Sequence, residues 1–259
     1  CTLHILGLKG AAGILTAVIV GILAGGIWGL IPGILKITRG LNEMIISIML
    51  NYIATLFMGV IYTSWIRDAN TPQTPSIDES LMLKKVIPGM RFTWSFIIAI
   101  VIGIVIYYGI YWTSKGFKLR AVGLNMTAAK FNGFAVKRYI LFSFIISGAV
   151  AGLGGAVDLL GTQYRLINGY GSGYGFDGVA IALIAQLHPI VAVIVSIFFA
   201  ALRVGSTSMQ VATGVPTSVS DIIQALVIVF SVAGMGLTKL PEFETFRLKY
   251  LTKKVEGKV

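Results

Sequence analysis

Apolar residues in this chain come in long unbroken runs. Six stretches contain no Lys, Arg, Asp or Glu: Ala11–Leu35, Met44–Ile66, Phe92–Ser114, Tyr139–Val157, Gly178–Leu202 and Ile222–Thr238, together about half of the chain. A membrane-crossing helix needs about 20 such residues. None of the runs alternates apolar with polar positions as a barrel strand would. The pattern predicts an all-α, polytopic membrane protein, because a helix satisfies its own backbone hydrogen bonds in lipid.

The polar segments between the runs set the orientation. Residues 114–138 carry Lys115, Lys118, Arg120, Lys130, Lys137 and Arg138 and no acid, which predicts a cytoplasmic segment. Lys36 and Arg39 place the first short link on the same side, and the Lys-rich tail from Lys239 joins them. Residues 67–91 are mixed in sign and contain Pro72, Pro75 and Pro88, as expected of an outer link, and 205–220 are also expected outside. Tyr139–Val157 then runs outward and Ile222–Thr238 inward. Gly178–Leu202 must therefore cross twice or not at all, and at about 1.5 Å per residue it is too short for two crossings. A re-entrant or broken helix pair turning near Leu187-His188-Pro189 satisfies both conditions. The expected fold is about five full spanning helices plus that pair, in one transmembrane domain over 1–259. A single Pro-kinked span, with the tail outside, is the alternative.

Composition agrees with this class. Apolar residues make up 56% of the chain and charged residues 12%, about half the charged share of a soluble domain. The net charge of +11 would suggest nucleic acid in a soluble protein. Here the basic residues cluster by membrane side, so no nucleic-acid partner is expected. One cysteine and two histidines exclude a cysteine-cluster metal site and fit no usual zinc spacing.

Motifs for covalent chemistry are missing. No glycine-rich loop precedes Lys-Ser or Lys-Thr, and neither H-E-x-x-H nor G-x-S-x-G occurs. The chain is expected to be no enzyme and to bind no cofactor. Polar groups inside the apolar runs are the remaining candidates, because such groups are costly in lipid and face a cavity or a partner. Asn51 lies in mid-run and either bonds a neighbouring helix or lines a solute route. Asp158 either lines a route or pairs with Arg165. Asp177 either lines it or is an N-cap or first-turn residue of a helix beginning at Gly178. Gln186 and His188 stand at the proposed turn. Asp221 reads as a helix-start residue. Tyr174 lies within the glycine-rich stretch 169–175 and either offers a stacking surface to a solute or belongs to an interfacial aromatic belt.

Within the basic segment, Asn125 is expected to cap a short helix over Met126–Phe131 and Gly133 to close it. A two-turn helix on the cytoplasmic side, with small and apolar contacts, reads as a docking element. A solvated basic loop touching lipid headgroups is the alternative.

This stretch, R-A-V-G-L-N-x-x-A-A-x-x-x-G over Arg120–Gly133, resembles the cytoplasmic coupling segment of ABC importer permeases of the branched-chain amino acid, ribose and nucleoside superfamily. Further resemblance lies in W-G-L-I-P-G-I-L-K (Trp28–Lys36), L-N-E-M-I-I-S-I-M-L-N-Y (Leu41–Tyr52), G-Y-G-F-D-G-V-A-I-A-L (through Leu183) and G-V-P-T-S-V-S-D-I-I-Q (Gly214–Gln224). These four are most similar to the nucleoside and simple-sugar branch. The resemblance implies a permease subunit in the bacterial plasma (inner) membrane. Implied partners are a second permease subunit, cytoplasmic ATP-binding subunits that hydrolyse the ATP, and an extracytoplasmic substrate-binding lipoprotein. The implied coupling residues are Gly123, Asn125, Ala128, Ala129, Phe131 and Gly133. The expected solute pathway is Asn51, Asp158, Tyr174, Asp177 and Gln186, with an ion-coupled secondary transporter or channel as the competing reading. Such permeases have additional N-terminal spans, so the sequence is expected to be the C-terminal portion of one.

Overall fold

The computed structural model describes residues 10–61, 64, 73–83, 93–167, 171, 173–216 and 218–238. The tail from Lys239, Tyr170 and most of the 67–91 link lie outside the described residues. The chain divides into two compact units, Cys1–Ser172 and Gly173–Val259, each described by itself.

The first unit contains α1 (Gly10–Arg39), α2 (Glu43–Val60), α3 (Trp94–Tyr111), α4 (Ser114–Leu124), α5 (Met126–Phe131) and α6 (Val136–Asp158), with a π-helical turn at Leu159–Gln163. The second contains α7 (Tyr174–Ile184), α8 (Pro189–Thr213) and α9 (Ser218–Thr238). Among the described residues, five helical stretches are long and apolar enough to cross a membrane: Gly10–Arg39, Glu43–Val60, Trp94–Tyr111, Val136–Gln163 and Pro189–Thr213. The expected number of spans holds, but one member differs. Pro189–Thr213 qualifies, whereas the last expected span retains a shorter apolar stretch, Asp221–Phe230, among the described residues.

An antiparallel seam between α1 and α6 organises the first unit. Glycines recur every fourth position on α1, at Gly21, Gly25, Gly29 and Gly33, and the first three face Gly148 and Gly152 of α6. A methyl group on Gly29 would stand 2.6 Å from the carbonyl oxygen of Phe144, and one on Gly21 would stand 2.9 Å from that of Gly152. Gly25 and Gly148 are tighter still, each held against the other's carbonyl oxygen. Lipid supplies no hydrophobic drive between helices, so close backbone approach at small residues supplies the packing.

The seam fixes which ends coincide. Gly33 meets Leu141 and Phe144 near the start of α6, so Lys36 and Arg39 share an end with the basic segment. At the other end, Ile77, Leu81 and Leu160 form a buried cluster with Ile14 and Val18 packed against it. Here the Thr74 amide donates to the Leu166 carbonyl at 3.1 Å and the Ile77 amide to Tyr164 at 2.9 Å. The basic links thus lie at one end and the described part of 67–91 at the other, as the positive-inside rule requires. Elsewhere many large apolar side chains face outward. α2 has no buried residue, and Met49, Leu56 and Phe57 on it are exposed, as suits a surface bathed in lipid.

In the second unit the chain breaks where parity demanded. Ala185 to His188 separate α7 from α8, and Gln186 and Leu187 adopt left-handed φ of 51° and 60°. The arms differ from expectation. α7 begins at Tyr174 rather than Gly178, and α8 continues past Leu202 to Thr213, long enough to cross alone. The uncharged run ended at Arg203, but the helix does not, because arginine is a good helix former and Gly214 at left-handed φ ends it.

Candidate functional site

Three places carry the polar chemistry. The first is the α4–α5 corner. Thr113 Oγ1 accepts from the Gly116 amide at 3.0 Å and starts α4. Asn125 Oδ1 accepts from the Ala128 amide at 2.9 Å and starts α5, as its sequence position indicates. Gly133, at φ 76°, closes the helix: its amide donates to Lys130 and the Phe134 amide to Ala129, both at 3.0 Å. This is a Schellman arrangement, which favours glycine at the left-handed position.

The corner presents its apolar side chains outward. Leu124 is 89% exposed and Phe131 88%, whereas Ala129 is 3% exposed and buried in its own chain. Gly123, Asn125, Ala128 and Gly133 are also exposed. A groove of about 860 Å³ beside α5 is lined by Met126, Lys130, Phe131, Phe134, Lys137 and Arg138 among others. Two basic side chains lie on rings, Lys118 over Phe134 at 5.8 Å and Arg120 over Tyr111 at 4.7 Å.

The second place is the far end of α6. Asp158 lines a cavity of about 200 Å³ with Ser95, Ile98, Ile102 and Leu153. Arg165 Nη1 donates to Gln73 Oε1 at 3.2 Å. The π-helical turn after Asp158 carries Arg165 to the 73–77 segment, where the Thr74 and Ile77 bonds hold it.

The third place is the start of α7. Gly173, at φ 89°, precedes the helix, and Tyr174 and Asp177 follow one turn apart on the same face. Arg203 Nη1 donates to Asp177 Oδ2 at 2.5 Å, and its guanidinium lies 4.8 Å from the centre of the Tyr174 ring. Asp177 therefore occupies the first turn and pairs with a cation. It is a first-turn residue, of a helix that begins at Tyr174 rather than Gly178. Arg203 escaped sequence reasoning, although a lone arginine amid apolar residues, with an aspartate 26 positions earlier, was the available signal.

The pathway candidates do not all converge. Tyr174 and Asp177 share one cluster. Gln186 lies beyond the opposite end of α7, about 16 Å away along an 11-residue helix. In the first unit, Asn51 is exposed on α2 and is not among the residues lining the Asp158 cavity. Asp221 lies in the first turn of α9, as expected. Among the described residues no group of three or more His, Cys, Asp or Glu is placed to hold a metal.

Long apolar helices, a close-packed glycine seam and charge sorted to one end define a polytopic α-helical membrane protein. Residues 2–232 match the family described as branched-chain amino acid transport system, permease component, and the chain belongs to that family. It is a multi-pass protein of the plasma (inner) membrane. It is 37% identical over 220 residues to the guanosine ABC transporter permease protein NupP of Bacillus subtilis, covering 83% of this chain and 63% of the relative. It is 30% identical over 249 residues to the nucleoside ABC transporter permease protein NupB of Lactococcus lactis, covering 92% and 68%. The glucose ABC transporter permease protein TsgB13 of Haloferax volcanii is 32% identical over 219 residues, covering 80% and 58%. The chain thus spans roughly two thirds or less of the length of these relatives. No solved structure matches it significantly.

Proposed function

We propose that the chain is the membrane-spanning permease subunit of an ATP-driven importer for a nucleoside or a simple sugar. The carrying observation is the α4–α5 corner. It is capped at each turn, lies at the end holding the basic links, and exposes Leu124 and Phe131. Exposed apolar side chains on a capped knob, with Met126 and Phe131 beside Lys130, Lys137 and Arg138, suit a protein groove with acidic edges. Family membership and the printed names of the relatives support an ATP-binding subunit as the owner of that groove. ATP is then bound and hydrolysed by the partner, and this chain does no covalent chemistry. A second permease subunit and an extracytoplasmic lipoprotein complete the assembly.

Mechanically, closure of the ATPase pair pushes on α5. The push enters α4 and α6 directly, since α5 is joined to each by a few residues. Asn51, Asp158, Tyr174, Asp177 and Gln186 line the route that opens and closes, and Gly123, Asn125, Ala128, Ala129, Phe131 and Gly133 form the coupling element. Ala129 holds α5 to its own chain and Phe131 makes the contact.

The test is solute-stimulated ATP hydrolysis by the assembled complex in proteoliposomes. Phe131→Asp is expected to lower stimulation at least about tenfold, the cost of placing a charge in an apolar contact, with normal permease abundance. Normal stimulation by Phe131→Asp removes the docking role. Uptake driven by an ion gradient without ATP overturns the importer reading in favour of a secondary transporter.

A further inference from the structure

We propose that Arg203 and Asp177 are the hydroxyl-reading pair of a solute site near mid-depth in the membrane, and that this site takes a neutral molecule bearing a vicinal diol. The inference rests on the transport reading above and adds a residue and a ligand chemistry to it.

Depth comes first. α8 has 25 residues, about 37 Å of helix, against a hydrocarbon core of about 30 Å. Arg203 lies about 21 Å from its start and about 15 Å from its end at 1.5 Å per residue. Any placement of α8 that spans the core leaves Arg203 within about 6 Å of the midplane. α7 is about 16 Å long, enough for half the core, and its first turn touches Arg203. A half-helix beginning at the midplane beside a buried-depth charge is the arrangement in which membrane transporters place solutes.

Bonding capacity comes second. Arg203 commits one nitrogen to Asp177 and a face to Tyr174. Among the described residues its Nε and Nη2, and Asp177 Oδ1, have no hydrogen-bond partner. The pair is not sealed: the side chains are 48% and 34% exposed, and Tyr174 is 50% exposed. A hydroxyl both donates and accepts. Two adjacent hydroxyls therefore fit, one donating to Oδ1 and the other accepting from Nη2, with the Tyr174 ring free to cover an apolar face. The net charge of the pair is zero. A carboxylate solute would compete with Asp177 for the guanidinium, and an ammonium with Arg203 for the carboxylate, so the site selects a neutral polyol.

The ribose of a nucleoside and a free sugar both carry this diol, and the test separates them. Uptake is measured in proteoliposomes holding the chain with its ATPase and lipoprotein partners, the lipoprotein saturated so that delivery does not discriminate. The probes are guanosine, 2′,3′-dideoxyguanosine and D-glucose. The unsubstituted complex is expected to carry guanosine or D-glucose, which names the diol's source, and to discriminate at least about tenfold against a diol-lacking analogue, since unpaired polar groups penalise it. Asp177→Asn and Arg203→Gln should abolish that preference by lowering the maximal rate for the diol solute, with the analogue little changed. Arg203→Lys keeps the charge but loses the fork, and should keep membrane abundance while losing preference. The reversed pair, Asp177→Arg with Arg203→Asp, should restore abundance but not preference. Unchanged preference in Arg203→Lys and Asp177→Asn, or full preference in the reversed pair, marks the ion pair as purely structural and overturns the inference alone. Failure of the unsubstituted complex to carry either solute overturns the transport reading and the inference with it.

Discussion

The seam between α1 and α6 and the broken hairpin of α7 and α8 solve the same problem in opposite ways. Both must hold helices together where water offers no help. The seam removes side chains until backbone meets backbone, at Gly21, Gly25 and Gly29 against Gly148 and Gly152. The hairpin keeps its side chains and carries one charged pair, Asp177 with Arg203, at the opposite end of α7 from the two residues in left-handed conformation. A glycine contact has one arrangement, because any sliding drives carbonyls into methylenes. A charged pair with spare donors and acceptors has several, because hydroxyls or water can take either partner's place. The seam is thus suited to transmit force and the hairpin to respond to a solute.

The strongest way to break this contrast is to fill the seam. Gly25→Leu or Gly148→Leu has no room, since even a methyl group at either position meets the other's carbonyl oxygen. Overpacking a core costs about 1–3 kcal/mol where neighbours can shift, and backbone cannot. Loss of the folded protein from the membrane is expected, measured as detergent-resistant abundance. Gly154→Leu, six residues beyond Gly148 and facing open space, should accumulate normally. Equal abundance of Gly25→Leu and Gly154→Leu would show that the seam is not the organising contact.

A smaller effect is expected at the α5 corner, which stands at the end of the seam. Ala129→Arg and Phe131→Asp both introduce charge into the proposed coupling element. Ala129 is buried within the chain, so its variant should lose thermal stability as well as stimulated ATP hydrolysis. Phe131 is exposed, so its variant should lose stimulation alone. Identical behaviour of the two would remove the distinction between anchor and contact.

Asn51 gives the next step down. It sits on α2, a helix with no buried residue, so Asn51→Leu breaks no internal packing and should leave abundance unchanged. If it lines the route, uptake should fall several-fold at equal abundance. Normal uptake makes the residue one that faces a neighbouring subunit or lipid.

Much of this was legible in the residues, and what was hidden has a common cause. Local signals succeeded: Asn125 and Gly133 bracketed α5 because capping is decided within one turn. The basic segments sorted to one end because charge placement is a property of each link. The break at Ala185–His188 followed from parity and a proline. Pairings between distant positions stayed hidden. The fourfold glycine spacing of α1 was present in the sequence, but its partner stripe lies more than 100 residues away on α6. Arg203 closed an uncharged run, while in the fold α8 continues through it and Arg203 pairs with Asp177, 26 residues earlier. Asn51 announced a polar group in mid-span but not which face of α2 would carry it.

The smallest expected effect tests the hairpin at its turn. Gln186 and Leu187 hold φ of 51° and 60°, a conformation that costs an L-residue about 1–2 kcal/mol and a glycine almost nothing. Glycine also loses more freedom on folding, by about 0.5–1 kcal/mol. The two terms nearly cancel, so Gln186→Gly should shift thermal stability by no more than about 1 kcal/mol. Gln186→Pro, whose ring forbids positive φ and which removes the amide that donates to Leu183 at 3.1 Å, should disrupt the turn. With the fold preserved in Gln186→Gly, uptake reads the side chain alone. Reduced uptake at unchanged stability places the amide on the solute route. Unchanged uptake leaves Gln186 a turn residue, and confines the polar chemistry of the hairpin to Tyr174, Asp177 and Arg203 at its other end.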